Sequence, residues 1–117
     1  MTNPTTFLDQ VDEIVLSNLQ HRDLLQLIAQ HFQLSDSQIY RKFKHKSGLS
    51  PSIYIRQKRL VIAKDLILRS DMTFTEIAHY TGFQQLAYFS RCFSEHYEMT
   101  PTEVRRKRDQ GQLLNLN

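Results

Sequence analysis

Ile39-Tyr40-Arg41-Lys42-Phe43, leading to Leu49-Ser50-Pro51, returns fifty residues later as Phe89-Ser90-Arg91-Cys92-Phe93, leading to Met99-Thr100-Pro101. A shorter signal precedes each copy, Ile28-Ala29 before the first and Ile77-Ala78 before the second. A repeat of this length marks one supersecondary unit used twice. Each copy reads as two short helices joined by a tight turn.

Working outward, Ser35 offers an N-cap to the helix carrying the first copy, with Gln38 three residues on as in a capping box. Ile39 and Phe43, four residues apart, face inward, and Gly48 ends that helix. Upstream, Asp23 caps a helix with an apolar stripe of Leu24, Leu25, Ile28, Ala29 and Phe32, followed by Gln33-Leu34 as the turn. Phe7, Leu8, Val11, Ile14, Val15 and Leu19 recur at helical steps, with Asp9, Asp12 and Glu13 near the start of a first, acidic helix.

Downstream, Ser50-Pro51 opens the longest helix, since proline is tolerated in a first turn, and no Gly or Pro interrupts it before about Arg69. Thr73 or Thr75 caps a fifth helix, and Gly82 supplies its turn. Phe83, Phe89, Phe93 and Tyr97 line the buried side of a sixth. Thr100-Pro101 begins a last helix that ends in the Arg105 to Arg108 cluster, and the tail from Gln110 is expected to fray. No stretch alternates as a strand does. The expected fold is all-α, with about seven helices. It divides into an N-terminal helix or junction over 1–22, a domain over 23–109 and a tail over 110–117. Inside the domain, a first hairpin over about 23–48, a linker helix over about 51–69, a second hairpin over about 74–97 and a last helix over about 101–108 follow in order.

With 117 residues, 40% of them apolar, the chain can form one compact domain or two very small ones, not a large enzyme with a deep cleft. No run of eighteen apolar residues offers a membrane span, and Met1-Thr2-Asn3-Pro4 lacks the basic start of a leader. These features point to a cytoplasmic protein. The single cysteine, Cys92, excludes an internal disulfide and reads as a small packing residue. His21, His31, His45, His79 and His96 are scattered without a paired acid or cysteine, so neither a metal site nor a catalytic dyad is supported. No Gly-rich phosphate loop or paired carboxylate is visible, so an enzyme is disfavoured and no cofactor is expected.

Charge is segregated. Up to Asp36 the only Lys or Arg is Arg22, against Asp9, Asp12, Glu13, Asp23 and Asp36. Between Ser37 and Lys64 there are eight Lys or Arg residues and no Asp or Glu. A basic run on and after the second helix of a repeat unit is the footprint of a polyanion site.

Ile77-Ala78, Gly82-Phe83, Tyr88-Phe89-Ser90-Arg91, Phe93 and Met99-Thr100-Pro101 together resemble the most diagnostic run of the C-terminal DNA-binding domain of AraC/XylS-type bacterial transcription regulators. Ser35, Ile39, Arg41, Phe43, Gly48, Ser50-Pro51, Tyr54, Arg59-Leu60 and Ala63 agree with the upstream half of that pattern. The resemblance spans about Asp23 to Arg106. It implies seven helices holding two homeodomain-like helix-turn-helix units joined by a long central helix, and a sequence-specific regulator of promoter DNA. Gln33 and Glu98 depart from it, standing where the family commonly has Gly. A non-Gly residue at positive φ costs about 1 kcal/mol.

In such a unit the second helix enters the major groove. On the third helix Ser37, Gln38, Tyr40 and Arg41 are the base-facing candidates; the family pattern places Ser37, Tyr40 and Arg41 there. A guanidinium can pair with both acceptors of guanine, and a phosphate contact is the alternative role for Arg41. On the sixth helix the corresponding set is Leu86, Ala87, Ser90 and Arg91, with Gln85 at the entrance. Leu86 and Ala87 can meet thymine methyls, which predicts a T-rich or loosely specified second half-site; alternatively Leu86 packs inside and the helix mainly grips the backbone through Ser90 and Arg91. Lys42, Lys44, Lys46, Arg56 and Lys58 are phosphate candidates, and the Arg105 to Arg108 cluster reads as phosphate or solvent residues. The two readers are expected about one DNA turn, near 34 Å, apart on a straight duplex.

A competing reading is a protein-interaction module whose acidic first helix or exposed sixth helix docks on RNA polymerase or a sensor domain. The family more often joins this domain to an N-terminal sensor or receiver domain, and the helix from Phe7 would suit a junction with one.

Overall fold

Thr6, Asp23, Ser35, Thr73 and Thr100 each accept a hydrogen bond from the backbone N–H three residues further on, and each begins a helix. This local chemistry sets the element order of the computed structural model, which describes residues 6–112. The helices are α1 Phe7–Ser17, α2 Leu24–Phe32, α3 Asp36–Ser47, α4 Pro51–Arg69, α5 Phe74–Tyr80, α6 Leu86–Tyr97 and α7 Pro101–Asp109. Among the described residues there is no strand, so the fold is all-α as expected. Thr73 caps α5, which decides between the two threonines. In α3, α5 and α7 the cap is a full capping box, closed by Gln38, Glu76 and Glu103 respectively. The returned bond from the cap N–H holds the carboxyls of Glu76 and Glu103 below the usual range.

Helix ends obey the repeat as well. Gly48 closes α3 at φ 78° and Glu98 closes α6 at φ 58°, fifty positions later. Gln33 closes α2 at φ 56°, while Gly82, after α5, stands at φ 93°. Each copy thus uses one glycine and one ordinary residue at its two left-handed turns. The departures at Gln33 and Glu98 leave the turn geometry intact, with the steric cost absorbed by the packing around it.

The chain divides into two compact units, one ending at Arg59 and the other starting at Leu60. In the first, Phe7, Val11, Val15, Ile28, Ile39 and Phe43 form the buried core, and the Phe7 ring lies 4.8 Å from Phe32 and 5.1 Å from Phe43. The acidic helix α1 is therefore part of this core. The Tyr54 hydroxyl donates to Asp12 at 2.7 Å, Lys58 pairs with Asp12 at 3.3 Å, and Arg59 donates to the Leu19 carbonyl. Burial, reinforced by Asp12, pushes the Tyr54 hydroxyl pKa far up.

In the second unit Leu60, Ala63, Ile67, Ile77, Phe83, Phe89, Phe93 and Val104 are buried together. Cys92 is buried among them as a packing residue. The basic end of α7 corrects an expectation. Arg105 and Arg108 do not stand in solvent: both donate to the Ile67 and Ser70 carbonyls, and Arg105 also donates to Met72. The last turn of an α-helix leaves carbonyls without partners, and these guanidiniums cap the end of α4. Arg108 also pairs with Asp71 at 3.2 Å. Burial and the Arg108 charge lower the Arg105 pKa from the usual arginine value.

The expected tail is described only at its start. The N–H groups of Gln110, Gly111 and Gln112 bond back to Arg106, Arg108 and Lys107. The rest of the stretch expected to fray, 113–117, lies outside the described residues.

Two stability outcomes follow from these contacts. Glu98→Gly relieves a left-handed non-Gly residue and should raise unfolding stability by no more than about 0.5 kcal/mol once the greater chain entropy of glycine is subtracted; a clearly lower melting temperature would contradict this. Arg105→Ala should cost about 1–2 kcal/mol in urea denaturation because it withdraws charged donors from helix-end carbonyls. The exposed Arg106→Ala should stay within about 0.5 kcal/mol, and equal effects of the two would remove the capping role.

Candidate nucleic-acid interface

Ile39 and Phe43 root α3 in the first core with no exposure, and that fixes which side chains of the helix point outward. Ser37, Tyr40, Arg41, Lys42, Lys44 and Lys46 are all exposed, Tyr40 with 48% of its surface free. Four cations against the single acid Asp36 give the helix a formal charge of +3. Lys42 holds its ammonium 5.3 Å above the Phe7 ring, so its stem lies along α1 with the charge at the surface.

Gln38 is the member of the candidate set that already has a partner within the protein. Its Oε1 accepts from the Ser35 N–H at 2.9 Å to close the capping box. Bidentate recognition of adenine uses that oxygen as well as the amide nitrogen, so it competes with the capping bond of Gln38. Lys58 is also less available than its place in the basic run implies, being paired with Asp12 and lying 5.5 Å from the Tyr54 ring centroid. Arg56 is half-buried and engaged within the protein.

Phe89 and Phe93 do for α6 what Ile39 and Phe43 do for α3. Gln85, Leu86, Ala87, Tyr88 and Arg91 are exposed and Ser90 is half-buried. Leu86 leaves 41% of its surface free, which overturns the alternative that it packs inside. Gln85 starts the helix without a side-chain capping bond. Arg91 and Glu95 cancel, so the two helices present different chemistry: α3 a cationic, hydrogen-bonding surface, α6 a nearly neutral and partly apolar one. The sequence reading missed Tyr88, whose ring lies beneath the Arg91 guanidinium at 5.3 Å. The three-residue step between them on a helix was the available signal.

Comparison with known proteins gives a consistent result. A family model described as a helix-turn-helix domain matches residues 28–107. The HTH-type transcriptional activator RhaS of Salmonella arizonae is 35% identical over 82 residues, covering 70% of this chain and 30% of that protein. The chain thus spans about a third of the length of the curated relatives it matches. Among solved structures, a transcriptional regulator with an AraC-type DNA-binding domain from Chromobacterium violaceum is 28% identical, with a TM-score of 0.81 over 89% of this chain and 93% of that one. The C-terminal domain of the response regulator yesN from Fusobacterium nucleatum is 27% identical, with a TM-score of 0.75 over 84% and 96% of the two chains.

The different engagement of the lysines has a measurable consequence. In a salt series of duplex binding followed by fluorescence anisotropy, Lys44→Ala should flatten the slope of log affinity against log salt by about one unit. Lys58→Ala should flatten it by less than half as much, because Asp12 already neutralises that charge. Equal slopes for the two variants would contradict the assignment.

Proposed function

Because the chain belongs to the AraC/XylS-type family of DNA-binding transcription regulators, we propose that it reads promoter DNA through two unlike helices, α3 and α6, in neighbouring major-groove segments. The observation that carries this reading is the pair of rooted helices with unlike outer faces. In the proposed complex Ser37, Tyr40 and Arg41 face the bases of one segment, and Arg41 takes the bidentate guanine contact that a planar guanidinium suits. Lys42, Lys44 and Lys46 neutralise flanking phosphates, which supplies affinity and register rather than sequence information. Arg56 and Lys58 join them only by giving up protein partners.

On the second segment Gln85 lies at the entrance to α6, and Leu86 and Ala87 meet thymine methyls. Ser90 lies toward the backbone, and Arg91 provides the hydrogen-bonding contact. The exposure of Leu86 supports this assignment. The DNA-binding domain comprises residues 23–109, with 1–22 as a junction whose helix α1 packs on it. The role is binding rather than catalysis, in the cytoplasm, with no cofactor. A sensor or receiver domain is the proposed partner within the whole protein, a reading supported by the description of the yesN structure as the C-terminal domain of a response regulator. RNA polymerase is a proposed partner of the promoter complex. The neutral outer face of α6 gives one specific observation in favour of a second reading, in which that face docks on protein.

Selection of duplexes from a randomised pool, at near-physiological salt with competitor DNA, tests the proposal. A two-part motif is expected, about one turn between part centres. Arg41→Ala should relax a single position of one part, by about 1–3 kcal/mol of discrimination. Leu86→Gln should move the preference of the other part away from thymine. A one-part motif unchanged by Leu86→Gln would overturn base reading by α6 and favour the docking reading.

A further inference from the structure

The repeat places Gln38 and Tyr88 at equivalent positions, three residues before Arg41 and Arg91. The two positions are used differently. Gln38 turns back to cap α3, whereas α6 has no capping bond from its N-cap side chain and Tyr88 runs along the helix under Arg91. The Tyr88 ring is itself held from below: it lies 5.9 Å from the Phe83 ring, which lies 5.3 Å from Phe89, which lies 5.8 Å from Phe93. Phe89 and Phe93 are fully buried, while Tyr88 is 39% exposed. A ladder of rings therefore runs from the core of the second unit to the surface and ends beneath a guanidinium.

We propose that Tyr88 is a positioning residue that sets the base specificity of Arg91. An arginine side chain has many rotamers, and freezing them opposes any directed contact. An aromatic face within about 6 Å attracts the guanidinium and leaves its edge N–H groups unspent. Those edge groups are the ones that pair with the O6 and N7 of guanine. A stacked Arg91 is thus presented to one base edge, whereas an unstacked one can reach the nearest phosphate with equal ease. The first unit has Gln38 rather than a ring three residues before Arg41, and its reading helix carries instead lysines that bind phosphate. Tyr88 compensates, on the nearly neutral α6, for the missing electrostatic anchoring. This inference rests on the base-reading role proposed above for Arg91.

The test uses the chain and the duplex recovered by selection, with every base-pair substitution in the α6 part measured for each variant. Arg91→Ala should abolish the preference at one base pair. Tyr88→Leu should reduce the preference at that same base pair about fivefold, with other positions and the salt slope unchanged, since a surface cation–π contact is worth a factor of this order. Tyr88→Phe, which keeps the ring, should restore the preference to within about twofold of the parent. Tyr88→Gln, the residue type of the first copy, gives the same readout as Tyr88→Leu if the leucine variant folds poorly. A preference left intact by both Tyr88→Leu and Tyr88→Gln, or one lowered equally at every position, overturns the proposal. If Arg91→Ala changes only the salt slope, the base-reading role of Arg91 fails and the proposal falls with it; that pattern is distinct from a failure of Tyr88 alone.

Discussion

Burial of two residues four positions apart on each of α3 and α6 is the constraint from which the rest derives. Ile39 and Phe43 on α3, and Phe89 and Phe93 on α6, are wholly removed from water. Burying two such side chains is worth several kcal/mol, at about 1.5–3 kcal/mol each. A rotation of either helix about its axis would expose them, so the outward set is dictated by what must stay inside. The function is written in the residues left over once the core has taken its share.

That division explains how one architecture can carry two unlike surfaces. In the first unit the leftover face is Ser37, Tyr40 and Arg41 flanked by lysines; in the second it is Leu86, Ala87, Tyr88 and Arg91. The left-handed turns follow the repeat, while the N-caps and the outer positions diverge. Gln33 and Glu98 illustrate the tolerance of the frame, since each adopts the left-handed turn without glycine. A packed hairpin can carry about 1 kcal/mol of local strain without losing its shape.

Most of the fold was legible in the sequence because its signals are local. Caps, proline starts and three- to four-residue apolar steps identify the helices, and the fifty-residue repeat groups α2 with α3 and α5 with α6. Contacts between distant residues were not legible. Nothing in the run Arg105-Arg106-Lys107-Arg108 announces that two of its members turn inward to the Ile67 and Ser70 carbonyls. The pairing of Lys58 with Asp12 likewise joins residues forty-six positions apart across α1 and α4. Gln38 is a different case. The capping-box spacing and the base-facing assignment compete for one amide oxygen, and the hydrogen bond to Ser35 shows which of them holds it. Tyr88 stands off the buried side of the sixth helix in the sequence as well, but only its three-residue step to Arg91 hinted at the stacked pair that the structure shows.

The central claim is that the two helices read DNA by different chemistry, α3 through charged hydrogen bonds and α6 largely through apolar contact. Replacing thymine by uracil at each position of the bound duplex removes a single methyl and leaves base pairing unchanged, so equilibrium titration of these duplexes isolates the apolar contribution. The account predicts a loss of affinity of about threefold or more per critical methyl, confined to the part of the site bound by α6, since a buried methyl-sized group is worth about 0.8 kcal/mol. Affinity unchanged by uracil throughout that part, or lowered equally in both parts, would contradict it.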